Sequence, residues 1–152
     1  MPRKSRALRT VNSESGQSVA ELALATPLLL LLVLGGIEMG RLFYMSVEVH
    51  NATRSGVQYG AQNPVTASDS AGMQNAALKD APNIPGLSAI ATHYCQCVNG
   101  ASSTCAIGDC TGSRMLIFVK VDTTAQFRPL FSYPGIPSSF PVRGEAIMRV
   151  PQ

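Results

Sequence analysis

Four cysteines are the residues whose chemistry the sequence makes most explicit. They are spaced C-x-C-x7-C-x4-C in a segment rich in Gly, Ser and Thr: Cys95, Cys97, Cys105 and Cys110. Outside the cytoplasm, an even set of cysteines in such a loop indicates disulfides. Zinc binding is the alternative, but the paired C-x2-C knuckles of common zinc sites are absent, and a thiol redox function would require C-x-x-C.

The pairing of these cysteines is open among three arrangements. If residues 87–98 form a strand, Cys95 and Cys97 point to the same face, so we expect neither to pair with the other. We favour the nested arrangement, Cys95 with Cys110 and Cys97 with Cys105, and place the crossed arrangement second. Each bridge closes a short loop, and its stabilisation should be about 3 kcal/mol or less.

Glu21 is the second residue with chemical potential, because it stands at the edge of a long apolar run. Residues 22–37 carry no charge, and with residues 17–20 they reach about the 20 residues that a helix needs to span hydrocarbon. The run is apolar around its whole circumference, so we predict a transmembrane helix over residues 17–40. A carboxylate in such a helix costs about 2.5 to 3.5 kcal/mol at the centre of a span and less near its edge, so it needs a partner.

Gly16 precedes this helix, and Glu21 is the fifth residue after it. The segment before Gly16 carries one acid, Glu14, and four basic residues: Arg3, Lys4, Arg6 and Arg9. This layout resembles the prepilin processing site, which implies that a membrane peptidase removes the basic leader, residues 1–16, and leaves Gln17 as the first residue. The new α-amine would lie about 6 Å along the helix axis from Glu21, and in a polymer the amine of one subunit could meet the carboxylate of the next.

Two other interpretations of this region remain. Glu21 could simply favour the N-terminal dipole of the helix. The apolar run could also be a cleaved secretory signal peptide, although no small-x-small cleavage site follows Leu34. In every case the basic residues hold the N-terminus in the cytoplasm, so the downstream domain is expected outside it.

The charge distribution argues against a nucleic-acid partner. The formal net charge is +3, and the segment before the predicted cleavage site, with four basic residues and one acid, accounts for all of it. From Gln17 onward, the chain has eight basic and eight acidic residues, so its formal net charge is zero. A mature chain near neutrality is compatible with self-association.

After Ile37 the apolar run becomes amphipathic without a stop signal. Apolar and small residues recur every three or four positions on one face: Leu42, Met45, Val49, Ala52, Gly56 and Tyr59. We predict that the helix continues over residues 41–62 and ends before Asn63-Pro64. The remainder, residues 63–152, is expected to form an extracytoplasmic α+β domain with the cysteine loop.

This outer domain contains one short helix candidate and three strand candidates. Ser68-Asp69 could cap a helix that contains Met73 and Ala77, and strands are predicted over residues 87–98, 114–122 and 142–150. A small antiparallel sheet with one face available to the amphipathic helix would bury the apolar face of that helix. The predicted fold class is therefore α+β and pilin-like.

The stretch from Glu21 to Pro64 resembles the TadE-like family of pilus-assembly proteins, pilin-like or pseudopilin components of the tight-adherence secretion system that makes Flp-type pili. One part of the resemblance is a glutamate-led apolar helix followed by a characteristic juncture: Gly36, Ile37, Glu38, Gly40 and Arg41. The other is a pattern on the following helix: Asn51, Ala52, Arg54, Gly56 and Tyr59. The resemblance covers residues 16–62.

The resemblance implies a minor, pilin-like inner-membrane protein that takes part in assembling type IV pili of the Flp class. Its implied partners are a prepilin peptidase acting at Gly16, other TadE-like or TadF-like pilins, the major pilin and the Tad assembly platform. No catalytic, metal or cofactor motif accompanies His50 or His93, so we predict no enzyme activity and no cofactor. The alternative function is a single-pass, membrane-anchored periplasmic binding domain unrelated to pili.

Overall fold

A computed structural model describes residues 14–132, 135 and 137–151; the predicted leader before Glu14 lies outside the described residues. The helices are α1 (Glu14–Gly60), α2 (Pro64–Ser68) and α3 (Ser70–Asp80). The strands are β1 (Ser88–Cys97), β2 (Ser102–Ser103), β3 (Met115–Phe127) and β4 (Phe140–Arg149). The predicted α+β class, with a long N-terminal helix packed on an antiparallel sheet, is confirmed.

Helix α1 passes through two compact units, one up to Met39 and one from Gly40 onward. In the first unit, ten large apolar side chains between Val19 and Ile37 are 49% to 83% exposed. Leucine is a strong helix former, which explains why this apolar run is helical. Pro27 lies within the helix. The long helix ends at Gly60, two residues before the predicted end.

In the second unit the sheet has the order β2-β1-β3-β4, and all its pairs are antiparallel. The central strand, β3, places Val121 opposite Ala91 of β1 and Ala146 of β4. Its alternation of buried and less buried residues is the period of two expected when one face is covered. The three predicted strands are present; β3 extends to Phe127, and β2 is an addition.

The second half of α1 covers the inner face of the sheet in two clusters that follow one another along the helix. The first cluster joins Met45, Val49 and Ala52 to the end of β3 and the start of β4, at Phe127 and Val142. The second joins the later part of α1 to the middle of the sheet and to α3: Val57, Met73, Ala77, Ala91, Val119, Val121 and Val150. Strand β3 therefore runs against α1 in the opposite direction.

A polar contact between α1 and the sheet lies within this core. The Thr53 and Thr123 hydroxyls are buried, and they lie within hydrogen-bonding distance of each other and of the Val49 carbonyl oxygen. Their two hydrogens serve two of these three contacts at a time. Gly144 of β4 lies against the same groups. A Cβ on Gly144 would meet both hydroxyl oxygens and would be 3.1 Å from the Val49 carbonyl oxygen. The absence of a side chain at residue 144 permits this close helix–sheet approach.

The short helices between α1 and the sheet begin at polar caps. Asn63 caps α2 and forms a capping box with Thr66, and Asp69 caps α3 by accepting a hydrogen bond from the Gly72 N–H at 2.8 Å. The predicted cap for a helix after Ser68 is thus present at Asp69. The Gly72 N–H and the Tyr59 hydroxyl, 2.9 Å away, hold the pKa of Asp69 below its ordinary value.

Candidate functional site

The predicted processing site lies in the first turns of α1. Gly16 and Gln17 are both helical, and a Cβ on Gly16 would meet no atom within 4 Å. The Gln17 side-chain amide donates a hydrogen bond to the Glu21 carboxylate at 3.2 Å, and both side chains are exposed. The helix therefore brings Glu21 next to Gln17, which is the residue predicted to carry the new amine. Cleavage itself stays a prediction.

The surroundings of Glu21 are apolar. Leu22 and Leu24 are 63% and 83% exposed, and the Thr26 hydroxyl is satisfied by the Leu22 carbonyl at 2.6 Å. The Gly16–Gly60 segment is long and apolar enough to cross a membrane: the mean hydropathy of its most apolar stretch is 2.1. Only 6% of that stretch is buried by the rest of the protein. Within the described residues there is thus one long apolar helix with the length and composition of a single-pass anchor.

The four cysteines form two disulfides near the start of β3. Cys95 is joined to Cys105 and Cys97 to Cys110, with Cα–Cα distances of 5.1 and 5.5 Å. This is the crossed arrangement, so the nested pairing that the sequence favoured is wrong. The reason is the path of β2: its antiparallel register sets Ser103 opposite Cys95, which carries the chain to Cys105 beside the same strand.

A carboxylate organises the rest of the disulfide loop. Asp109 accepts hydrogen bonds from the Thr104 hydroxyl at 2.7 Å, the Thr104 N–H at 2.8 Å and the Ser103 hydroxyl at 3.0 Å. These bonds, that of the Thr104 hydroxyl first, hold the pKa of Asp109 below its ordinary value. Asp109 carries no recognisable sequence signal, because its partners lie five and six residues earlier in no known local motif. Ile107, between the bonded cysteines, is fully exposed.

A shallow cavity lies between α1 and β4. It has a volume of about 400 Å³ and is lined by His50, Asn51, Arg54, Glu145 and Ala146. His50 Nδ1 is 2.8 Å from the Ser46 carbonyl oxygen, and Glu145 is paired with Lys120 at 3.3 Å. Two of the three ionisable side chains on the wall of the cavity, His50 and Glu145, thus already have partners within the protein.

No cluster of potential metal ligands is found within the part of the chain that the structure describes: no three His, Cys, Asp or Glu residues converge there. His50 lies on α1 and His93 lies on β1. The four cysteines are all held in disulfides. The described features are therefore a long apolar helix segment with Glu21 near its start, and a sheet domain with two disulfides.

Comparison with known families gives a match over less than half of the chain. A family model described as TadE-like protein matches residues 16–58. The matched segment contains Gly16, Glu21 and the part of α1 that packs on the sheet, and it confirms the predicted resemblance to this family. No curated protein and no solved structure matches the chain.

Proposed function

We propose that this TadE-like chain is a non-enzymatic, pilin-like component that takes part in assembling Tad (Flp-type) pili. Residues 17–40 would anchor it in the bacterial inner membrane, with the N-terminus in the cytoplasm and the sheet domain in the periplasm or the pilus. The observation that carries this proposal is the extent of the family match. It begins at Gly16, the predicted cleavage residue, and continues through the apolar helix to residue 58.

The proposed mechanism begins with cleavage at the N-terminal end of the helix. A prepilin peptidase would cut the bond between Gly16 and Gln17, removing a leader that carries all of the net positive charge. The new α-amine would be four residues from Glu21, about 6 Å along the axis. In hydrocarbon this pair lowers the free-energy cost of inserting the Glu21 carboxylate, because the nearby positive charge compensates for the hydration that the carboxylate loses. Between subunits, the same pairing would align neighbouring helices.

The remaining partners follow from the family match and from the outer domain. Other TadE-like or TadF-like pilins and the major pilin would contact the exposed apolar helix, and the Tad assembly platform would move it out of the bilayer. The two disulfides support delivery of the domain to an oxidising compartment, since such bonds rarely persist in the cytoplasm. The bonds would hold the loop during that transfer.

The proposal is tested by the N-terminus of the protein in the membrane fraction of its own host. N-terminal sequencing and intact mass are expected to give a chain that starts at Gln17. Gly16→Val should leave the leader attached, because a branched side chain does not fit a peptidase site that accepts glycine. Gly35→Val is the matched control, since a Cβ at that position also meets no atom within 4 Å.

A native chain that keeps Met1 would contradict the proposal and would favour the alternative, a permanently tethered periplasmic binding domain. Normal cleavage of the Gly16→Val protein would remove the processing argument. Loss of cleavage in both glycine variants would show that the effect comes from the helix in general and not from Gly16.

A further inference from the structure

One end of the sheet domain lies close to the residue at which the chain leaves the apolar span. The predicted span ends at residue 40, and the Arg41 guanidinium lies over the Phe127 ring, 5.4 Å from its centroid. Phe127 is the last residue of β3. This contact places the end of β3 next to the residue at which α1 would leave the hydrocarbon.

The segment after β3 exposes apolar side chains at this end of the domain. We call residues 128–132 the β3–β4 loop. Leu130 is 61% exposed and Phe131 is 45% exposed, and Arg128 is also exposed. On α1, Phe43 and Tyr44 are 62% and 56% exposed. Four large apolar or aromatic side chains thus face outward on elements that meet near Arg41.

The short chain between Phe127 and Leu130 limits how far Leu130 can lie from the end of the predicted span. Leu130 is three residues from Phe127, so the chain can separate them by at most about 11 Å. The interfacial layer on each side of a bilayer is about 5 to 8 Å thick. Aromatic residues favour this layer because they have both apolar and polar character, and basic side chains favour the lipid phosphates just above it.

We propose that the β3–β4 loop is a second membrane contact, in which Leu130 and Phe131 enter the outer interfacial layer of the bilayer and Arg128 binds lipid phosphate. Together with Phe43 and Tyr44, the loop would hold the sheet domain against the membrane before assembly. The inference rests on the proposed membrane anchor. It adds a lipid-binding surface to a domain that otherwise needs only a tether.

The absence of tryptophan from the chain allows a direct test. Phe131→Trp places a single reporter in the loop of the full-length protein, reconstituted at low density in vesicles of three parts phosphatidylethanolamine and one part phosphatidylglycerol. Its emission should shift to shorter wavelength and be quenched by lipids with brominated acyl chains. Ile107→Trp is the matched control, because Ile107 is fully exposed on the disulfide loop. That loop lies near the start of β3, and the β3–β4 loop follows its end twelve strand positions later, so this variant should show neither effect.

A second substitution tests the role of the apolar side chain. Leu130→Asp in the Phe131→Trp protein removes an exposed leucine without disturbing the core, and it should weaken loop insertion by about tenfold. Quenching of Phe131→Trp that is unchanged by Leu130→Asp would overturn the proposal. So would a wavelength shift without lipid quenching that grows with protein density, because it would indicate contact with a second copy.

Leu30→Trp, in the middle of the apolar run, separates failure of the loop inference from failure of the anchor. Quenching at residue 30 without quenching at residue 131 would overturn the loop contact and leave the proposed function intact. Absence of quenching at both residues would overturn the membrane anchor as well. Quenching at both, with Ile107→Trp unaffected, is the expected result.

Discussion

Removal of one disulfide should destabilise the domain by an amount set by the loop it closes. The bonded cysteines are 10 and 13 residues apart. The chain-entropy relation gives about 2.7 kcal/mol for the first bridge and about 2.9 kcal/mol for the second. Because the two loops interlock, each bridge shortens the other loop, so loss of both should cost less than the sum.

The crossed pairing makes two double variants behave differently. Cys95→Ala with Cys105→Ala removes one bridge and should leave Cys97 bonded to Cys110. Its free energy of unfolding should fall by about 2.7 kcal/mol or less, because the remaining bridge shortens the loop, and no free thiol should be detected after denaturation. Cys95→Ala with Cys110→Ala breaks both bridges, so two free thiols are expected together with a larger loss. Both variants replace two cysteines by alanine, and they differ mainly in whether one disulfide or both are lost.

Urea unfolding of the full chain in detergent is monitored by the circular dichroism of the sheet. Free thiols are then titrated in the denatured protein. The reasoning is refuted if the second variant is thiol-free and more stable than the first. That outcome would mean that Cys97 pairs with Cys105, as in the nested arrangement.

Three further predictions concern the anchor, the helix–sheet contact and the α3 cap. Glu21→Ala should still insert into the membrane but assemble poorly in a piliation assay; undiminished piliation would show that the carboxylate has no pairing role. Gly144→Ala should lower the free energy of unfolding by about 1 to 3 kcal/mol in urea, because its Cβ meets buried groups, whereas Gly40→Ala, which has open space, should not destabilise. The pKa of Asp69 is lowered from its ordinary value of 3.8 in the folded protein, so the Asp69 carboxylate stabilises the fold fully above pH 3.8, and this stabilisation is lost as the pH falls through the lower folded pKa. Asp69→Asn should therefore flatten the decline of stability in acid. An unchanged pH profile of stability would contradict the role of the Tyr59 and backbone hydrogen bonds.

The long helix and the three main strands could be predicted because their signals are local. An uncharged apolar run determines the first half of α1, and an apolar face with a period of three to four determines the second. The strand at residues 114–122 was recognisable from its β-branched and aromatic residues, and the cap at Asp69 from its residue type. Each of these depends on neighbours within a few positions.

The features that could not be predicted depend on contacts between distant segments. The disulfide connectivity follows from the register of β2 against β1, and a strand of two residues leaves almost no sequence pattern. The Thr53–Thr123 hydrogen bond joins residues that are 70 positions apart. Gly144 stood in a predicted strand, but the reason for a glycine there is visible only once α1 lies on it.

Strand β4 forms one edge of the sheet, and its sequence bears on how copies of the chain can associate. It contains Pro141, which lacks an N–H, and exposed charges at Arg143, Glu145 and Arg149. Proline and charged side chains on an edge strand oppose sheet-to-sheet growth of the amyloid kind. If the chain assembles through its helices, as proposed, this edge would protect it from a competing mode of aggregation.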